Sequence, residues 1–151
     1  MQISVRSAPS GCWPHCSDTA IEVAKENSES LKVKLDIRKV DIFEWQPDSK
    51  YDIMVSNPPY VQDKEALEME KNVLDYEPHE ALFVRDEEPL VFYDRISDLA
   101  LSRLNPGGKL YFEVNPLTVN ELKKMLEKKG CEDVNIYKDS FGKDRFISCH
   151  I

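Results

Sequence analysis

The run Tyr51-Asp52-Ile53-Met54-Val55-Ser56-Asn57-Pro58-Pro59-Tyr60 holds the residues of this chain best suited to chemistry. An apolar, strand-like segment opens directly into a loop rich in hydrogen-bond acceptors. Two consecutive prolines remove two backbone donors and restrict φ, and Asn57, lying before a proline, is pushed toward extended conformations. The loop is therefore a stiff pocket edge. The Asn57 side-chain oxygen and the Pro58 carbonyl can each accept one N–H of a substrate NH2 group, with Pro59 stiffening the turn and Tyr60 packing on the flat face of that group. This arrangement suits methyl transfer to a planar amide or amino nitrogen. An amide nitrogen is a poor nucleophile because its lone pair is delocalised into the carbonyl, so it must be held with that lone pair facing an electrophilic carbon. With a sulfonium methyl donor no nucleophilic side chain is required, since positioning and preplaced dipoles supply most of the effect. For the tetrapeptide alone, the competing reading is a double-proline loop that merely ends a strand.

The elements that must position this loop follow an alternating α/β order, the pattern of a parallel sheet flanked by helices. Ser17 is placed to cap a helix running to about residue 28, with Ala20, Ile21 and Ala24 inward. Residues 32 to 40 alternate strictly and read as a strand near the sheet edge; residues 51 to 56 form the next strand. A long loop covers 61 to 85. Pro89 then opens a helix in which Phe92, Ile96, Leu99 and Ala100 recur at helical spacing until Asn105-Pro106-Gly107-Gly108 ends it. Residues 108 to 114 read as a strand, and Thr118-Val119-Asn120-Glu121 has the capping-box spacing for a helix ending at Gly130. Residues 132 to 138 and 144 to 150, with Gly142 between them, read as an antiparallel hairpin.

From Ser17 onward the chain resembles the HemK/PrmC family, the protein-(glutamine-N5) methyltransferases that modify peptide chain release factors with S-adenosylmethionine. The resemblance is carried by residues 17 to 27, Val40-Asp41-Ile42-Phe43, residues 56 to 60 and Tyr76-Glu77-Pro78-His79-Glu80-Ala81-Leu82-Phe83. It continues through Pro89-Leu90 with Phe92-Tyr93, Leu104-Asn105-Pro106-Gly107-Gly108 and Asp139-Ser140-Phe141-Gly142-Lys143-Asp144-Arg145-Phe146. It implies an α/β fold, a partial Rossmann-like class I methyltransferase sheet with a C-terminal antiparallel hairpin. It also implies a catalytic loop of Asn57, Pro58, Pro59 and Tyr60, and cofactor contacts from Asp41, Ile42 and Asn57. In that reading Asp41 accepts from the adenine amino group and the backbone N–H of Ile42 donates to a ring nitrogen. The residue-level alternative for Asp41 is that it caps a turn. Glu77 and His79 shape the substrate loop rather than act as an acid/base pair; Glu113 ends a strand with no role assigned.

Residues 1 to 16 depart from the family, dividing the chain into a non-family segment and an incomplete catalytic domain, 17 to 151. The resemblance implies, ahead of Ser17, a helical domain, a strand and a Gly-rich turn at the cofactor. Here the segment has one glycine, Gly11, and His15 stands where a ribose-binding carboxylate is expected. The chain is accordingly read as the C-terminal portion of a longer methyltransferase. Without the first two family strands, strand 51 to 56 is expected to expose an apolar edge that invites homo-oligomer pairing. Gln2-Ile3-Ser4-Val5-Arg6-Ser7 alternates and is a candidate to fill one position.

The 151 residues, 41% hydrophobic and 32% charged, suffice for one core. A net charge of −8 argues against direct nucleic-acid binding and suits a basic protein partner such as a release factor. Cys12, His15 and Cys16 are close in sequence, but no second ligand pair completes a metal site. Cys131 and Cys149 add no disulfide spacing, and no segment is long and apolar enough to span a membrane, which points to the cytoplasm. Two other readings stay open: a non-catalytic fragment or pseudoenzyme that binds protein, and a DNA adenine-N6 methyltransferase, disfavoured by the acidity.

Overall fold

The computed structural model of the chain describes residues 2–7, 10–15, 18–62, 64–65 and 83–151. The elements are β1 (Gln2–Ser7), β2 (Ser10–His15), α1 (Asp18–Ser30), β3 (Leu35–Lys39), β4 (Tyr51–Asn57), β5 (Val61–Gln62), β6 (Phe83–Val84), α2 (Val91–Arg103), β7 (Leu104–Glu113), α3 (Val119–Lys129), β8 (Glu132–Lys138) and β9 (Asp144–His150). Seven strands form one sheet in the order β3-β2-β1-β4-β7-β9-β8, and β5 pairs with β6 in a short parallel ladder. The Ser17 cap, Glu77 and His79 lie outside the described residues, as does Cys16; of Cys12 and His15 only the backbone is described.

Strands β2 and β3 are parallel, as are β4 and β7, while β1 runs antiparallel to both β2 and β4. The expected bare edge on strand 51–56 is absent. Gln2 to Arg6 pair with Asn57 to Ile53, and β2 fills the next position. Both interior places are occupied because the amino-terminal residues alternate and can lend backbone donors and acceptors to the open ladder. The sheet edges are instead β3 and β8.

One face of the sheet is covered by α2 and α3. Tyr93, Ile96, Leu99 and Ala100 of α2 and Leu122 and Leu126 of α3 join Met54, Leu110, Phe112 and Ile147 in the core. Tyr93 and Phe112 meet edge to face at 5.1 Å. Deleting a fully buried leucine from such a core costs about 2–5 kcal/mol. The other face is less covered than a sheet flanked by helices implies: Ile53, Val55, Phe146 and Tyr137 are 37–49% exposed.

The sheet-edge strand is shorter than its alternation predicts. Lys32 takes φ 53°, Lys32 N–H donates to Glu29 and Val33 N–H donates to Ser28, so residues 31 to 34 terminate α1 instead of extending β3. The helix over 91–103 passes directly into β7. Asn105 to Gly108 form an excursion within the strand, with Leu104 opposite Tyr51 and Lys109 opposite Ile53. Gly107 adopts φ 77° and donates to Ile151, while a Cβ on Gly108 would lie 2.8 Å from the Asn105 carbonyl oxygen. The capping box at Thr118 is not formed. Thr118 starts α3 without a side-chain cap bond, because the entry turn is built by Asn115, whose oxygen accepts from Leu117 N–H at 2.9 Å. Gly130 ends α3 with φ 95°, its N–H on Glu127 and that of Cys131 on Leu126. The closing hairpin forms as its two alternating runs predict.

Candidate active site

In an open α/β sheet the crevice for ligands lies beyond the carboxyl ends of the parallel strands, where the strand order reverses. Here that point falls between β1 and β4, and the residue that ends β4 is Asn57. Asn57 is exposed, Pro58 and Pro59 are buried and Tyr60 is half-buried. The prolines seat the loop while the amide of Asn57 faces outward.

Tyr60 is held at both ends. Its hydroxyl donates to Glu113 Oε1 at 3.0 Å, and its carbonyl accepts from Asn115 Nδ2 at 3.0 Å. Burial, followed by the charge and hydrogen bond of Glu113, pushes the phenol pKa up to about 12, so Tyr60 is neutral at physiological pH. Asn115 is 4% exposed, donates both amide hydrogens and accepts one hydrogen bond. Besides Tyr60 it donates to Glu65 Oε2 at 2.7 Å, an oxygen that also accepts from Gln62 N–H at 2.9 Å. Thus β7 and the turn after it clamp the loop and the short 61–65 segment together. Ser56 Oγ and Gln62 Oε1, both buried beside the loop, have no hydrogen-bond partner among the described residues.

The closing hairpin reaches the same edge, because β9 runs antiparallel to β7 and so begins beside Glu113. Arg145 Nη1 lies 3.7 Å from Glu113 Oε1, and Arg145 Nε lies 3.7 Å from Asp139 Oδ2. Asp139 is fixed by the hairpin turn, its Oδ1 accepting from Phe141 N–H at 2.8 Å and Lys143 N–H at 3.0 Å. Sequence reasoning left Glu113 without a role and gave none to Asn115, Asp139 or Arg145. The family-like run Asp139 to Phe146 was the available signal for the last two. Asn115 had none, since the two groups it donates to, on Tyr60 and Glu65, are 55 and 50 residues away in sequence.

Asp41 lies on the turn after β3, away from the Asn57 loop in sequence but at the same carboxyl edge. One of its oxygens accepts from Phe43 N–H at 2.9 Å, and its carbonyl accepts from Trp45 N–H at 2.8 Å. Asp41 therefore does cap a turn. Arg95 of α2 braces that turn by donating to the carbonyls of Ile42 and Trp45 at 3.0 and 2.8 Å. Ile42 is buried.

These residues suit a nucleoside cofactor on one side only. Asp41 is exposed at the end of β3, and capping engages only one of its two carboxylate oxygens. On the other side, the reversed direction of β1 sets Gln2, the start of the strand, opposite Asn57. Ser7, the end of β1, is consequently at the opposite edge of the sheet. Among the described residues, the end of β1 therefore offers no backbone N–H groups to the crevice, and these residues do not fit the ribose and amino-acid half of such a cofactor.

The comparisons with known proteins agree with this architecture. The methyltransferase small domain model matches residues 14–77. The release factor glutamine methyltransferase of Bacteroides thetaiotaomicron is 46% identical over 136 residues, covering 89% of this chain and 49% of that protein. That of Flavobacterium psychrophilum is 41% identical over 132 residues, covering 87% of this chain and 46% of the relative. The chain thus spans about half the length of the curated relatives it matches. Among solved structures, a methyltransferase from Pyrococcus furiosus superposes with a TM-score of 0.65 at 19% identity, over 92% of this chain and 61% of that one. The N-methyltransferase NodS from Bradyrhizobium japonicum WM9, solved with S-adenosyl-L-homocysteine, superposes with a TM-score of 0.55 at 12% identity, over 92% and 64%.

Fold and strand order together define a partial Rossmann-like methyltransferase fold. Within that class, the chain is similar over 132 to 136 residues, at 37–46% identity, to release factor glutamine methyltransferases.

Proposed function

We propose that this chain carries the amide-holding site of a protein-(glutamine-N5) methyltransferase that acts on peptide chain release factors in the cytoplasm, with S-adenosylmethionine as methyl donor. The observation that carries the reading is the Asn57 loop at the strand-order switch point, braced on both sides of Tyr60 by Glu113 and Asn115. Asn57 and the Pro58 carbonyl accept the two N–H groups of the glutamine, and Tyr60 packs against the amide plane. Holding both hydrogens turns the nitrogen lone pair toward the incoming carbon, which is the geometric part of catalysis. S-adenosylmethionine, when bound, supplies the electrophilic methyl group; in this reading Asp41 and Ile42 would hold its adenine edge. Residues 17 to 151 are the methyltransferase portion in this reading, and 1 to 16 are a segment outside the family pattern.

A second reading, a protein-binding fragment without turnover, is favoured by the direction of β1, which leaves the ribose side of the crevice without a backbone turn. Incubation of the chain with a release factor and excess S-adenosylmethionine, followed by peptide mass spectrometry, separates the two. A single methyl group on a glutamine, lost in Asn57→Ala with unchanged circular dichroism, supports the first. Methylation retained in Asn57→Ala refutes the role given to that residue, and no methylation by the folded parent chain supports the second.

A further inference from the structure

The Asn57 loop ends on a tyrosine whose proton is already committed. Tyr60 is the donor and Glu113 Oε1 the acceptor at 3.0 Å, and the same carboxylate oxygen faces Arg145 at 3.7 Å. A phenol that donates to a carboxylate has only lone pairs and its ring face left for a substrate. With Asn57 and the Pro58 carbonyl, the loop then presents acceptors to its occupant. That character suits an NH2 group, which brings two donors, and opposes a carboxylate, which brings none.

Glu113 does not hold this position unaided. It is the last residue of β7, opposite Phe146 in the β9 register, and the backbone closes behind it where Val114 N–H donates to the Arg145 carbonyl at 3.0 Å. Arg145 sits between Glu113 and Asp139, and Asp139 is tied into the hairpin turn by two backbone N–H groups. From the other side, the Tyr93 hydroxyl donates to the Glu113 carbonyl at 3.0 Å. Among the described residues, the titratable groups around Tyr60 are thus Glu113, Arg145 and Tyr93, with Asp139 behind Arg145.

We propose that Glu113, fixed at the end of β7 beside Arg145 of β9, is a positioning residue that orients the Tyr60 hydroxyl away from the substrate and makes the loop selective for a carboxamide over a carboxylate. The proposal rests on the methylation reading for the identity of the occupant, but the orientation of Tyr60 is measurable without it. In Glu113→Gln the side-chain amide can donate to the phenol, which frees the Tyr60 proton to point into the loop.

The test is a pH titration of the full chain labelled with 13Cζ-tyrosine, with Tyr60→Phe identifying the signal. In the parent, Tyr60 titrates near 12, above the ordinary 10.0. In Glu113→Gln its midpoint moves down toward the ordinary value. In Arg145→Ala it does not move down, because a cation that favours the phenolate has been removed, and Arg145→Lys restores the parent behaviour. A merely loosened loop would lower the midpoint in both Glu113→Gln and Arg145→Ala, and that result, or no change in Glu113→Gln, overturns the proposal. In the methylation assay Glu113→Gln raises the KM for a glutamine peptide roughly tenfold and lets the glutamate analogue inhibit, as one charge-assisted hydrogen bond is lost. A parent chain that transfers no methyl group but shows the Tyr60 behaviour described supports the placement of Glu113 and counts against the methylation reading alone.

Discussion

Asn115→Ala is expected to loosen the Asn57 loop more than any other single side-chain truncation outside the core. Asn115 is 4% exposed and makes three hydrogen bonds, to the Tyr60 carbonyl at 3.0 Å, to Glu65 Oε2 at 2.7 Å and from Leu117 N–H at 2.9 Å. The neutral bonds contribute about 0.5–1.5 kcal/mol each and the bond to the carboxylate about 1.5–3 kcal/mol. Water entering the vacated space recovers part of this, leaving a net loss of about 2–4 kcal/mol. For a chain of this length that corresponds to a fall in Tm of roughly 5–15 °C. Asn115→Asp keeps the shape but sets a second carboxylate against Glu65, so at neutral pH it is expected to cost more than the alanine. The crowding raises the folded-state pKa of the pair, so the variant regains stability in acid and loses it as pH rises through that raised value. Urea unfolding followed by circular dichroism, at neutral pH and near pH 4.5, measures both. An alanine variant within about 0.5 kcal/mol of the parent, or an aspartate variant with no pH dependence beyond the parent's, would refute the clamp.

Calorimetric titration with S-adenosylmethionine is expected to show binding no tighter than millimolar, because losing backbone donors on one side of the crevice costs about 3–4 kcal/mol, or 100- to 1,000-fold; micromolar binding contradicts the one-sided fit. Gly108→Ala should destabilise by about 1–3 kcal/mol in urea, since its Cβ would meet the Asn105 carbonyl oxygen at 2.8 Å and the Asp52 carbonyl oxygen at 3.2 Å, neither of which can swing aside. Asp139 has its carboxyl held below the usual range, first by the Lys143 N–H, then by that of Phe141 and by the charge of Arg145. Its contribution is therefore present above the ordinary carboxylate pKa and lost as pH falls through the depressed one. Asp139→Asn should flatten the acid limb of the unfolding curve, and an unchanged acid limb counts against the turn lock.

Much of the architecture was legible because it rests on local patterns. Gly130 and Gly142 lie at positive φ where a helix end and a hairpin turn need it, and the alternation of 132–138 and 144–150 carries their pairing. The loop at 57–60 was legible for the same reason: proline and the residue before it are constrained whatever surrounds them. Local patterns failed where a different short-range hydrogen bond competed. Lys32 to Lys34 alternate like a strand but close a helix, and the Thr118 cap gave way to Asn115, whose carbonyl receives Thr118 N–H.

By itself, the sequence determined the order of the helices and main strands from residue 17 onward, the stiffness of the Asn57 loop and the resemblance to glutamine methyltransferases, because each depends on dihedral preferences and on residues close together in the chain; it did not show β2, β5 or β6. Only the tertiary structure decided what the loop rests on. Glu113, Asn115 and Arg145 meet Tyr60, with Asp139 behind Arg145, through strand register, and register is set by which edges pair across the whole sheet. The direction of β1 belongs with these. An alternating segment fits a vacant place in a sheet in either direction, and only the finished ladder shows that this one runs backward, bringing its first residues to the crevice.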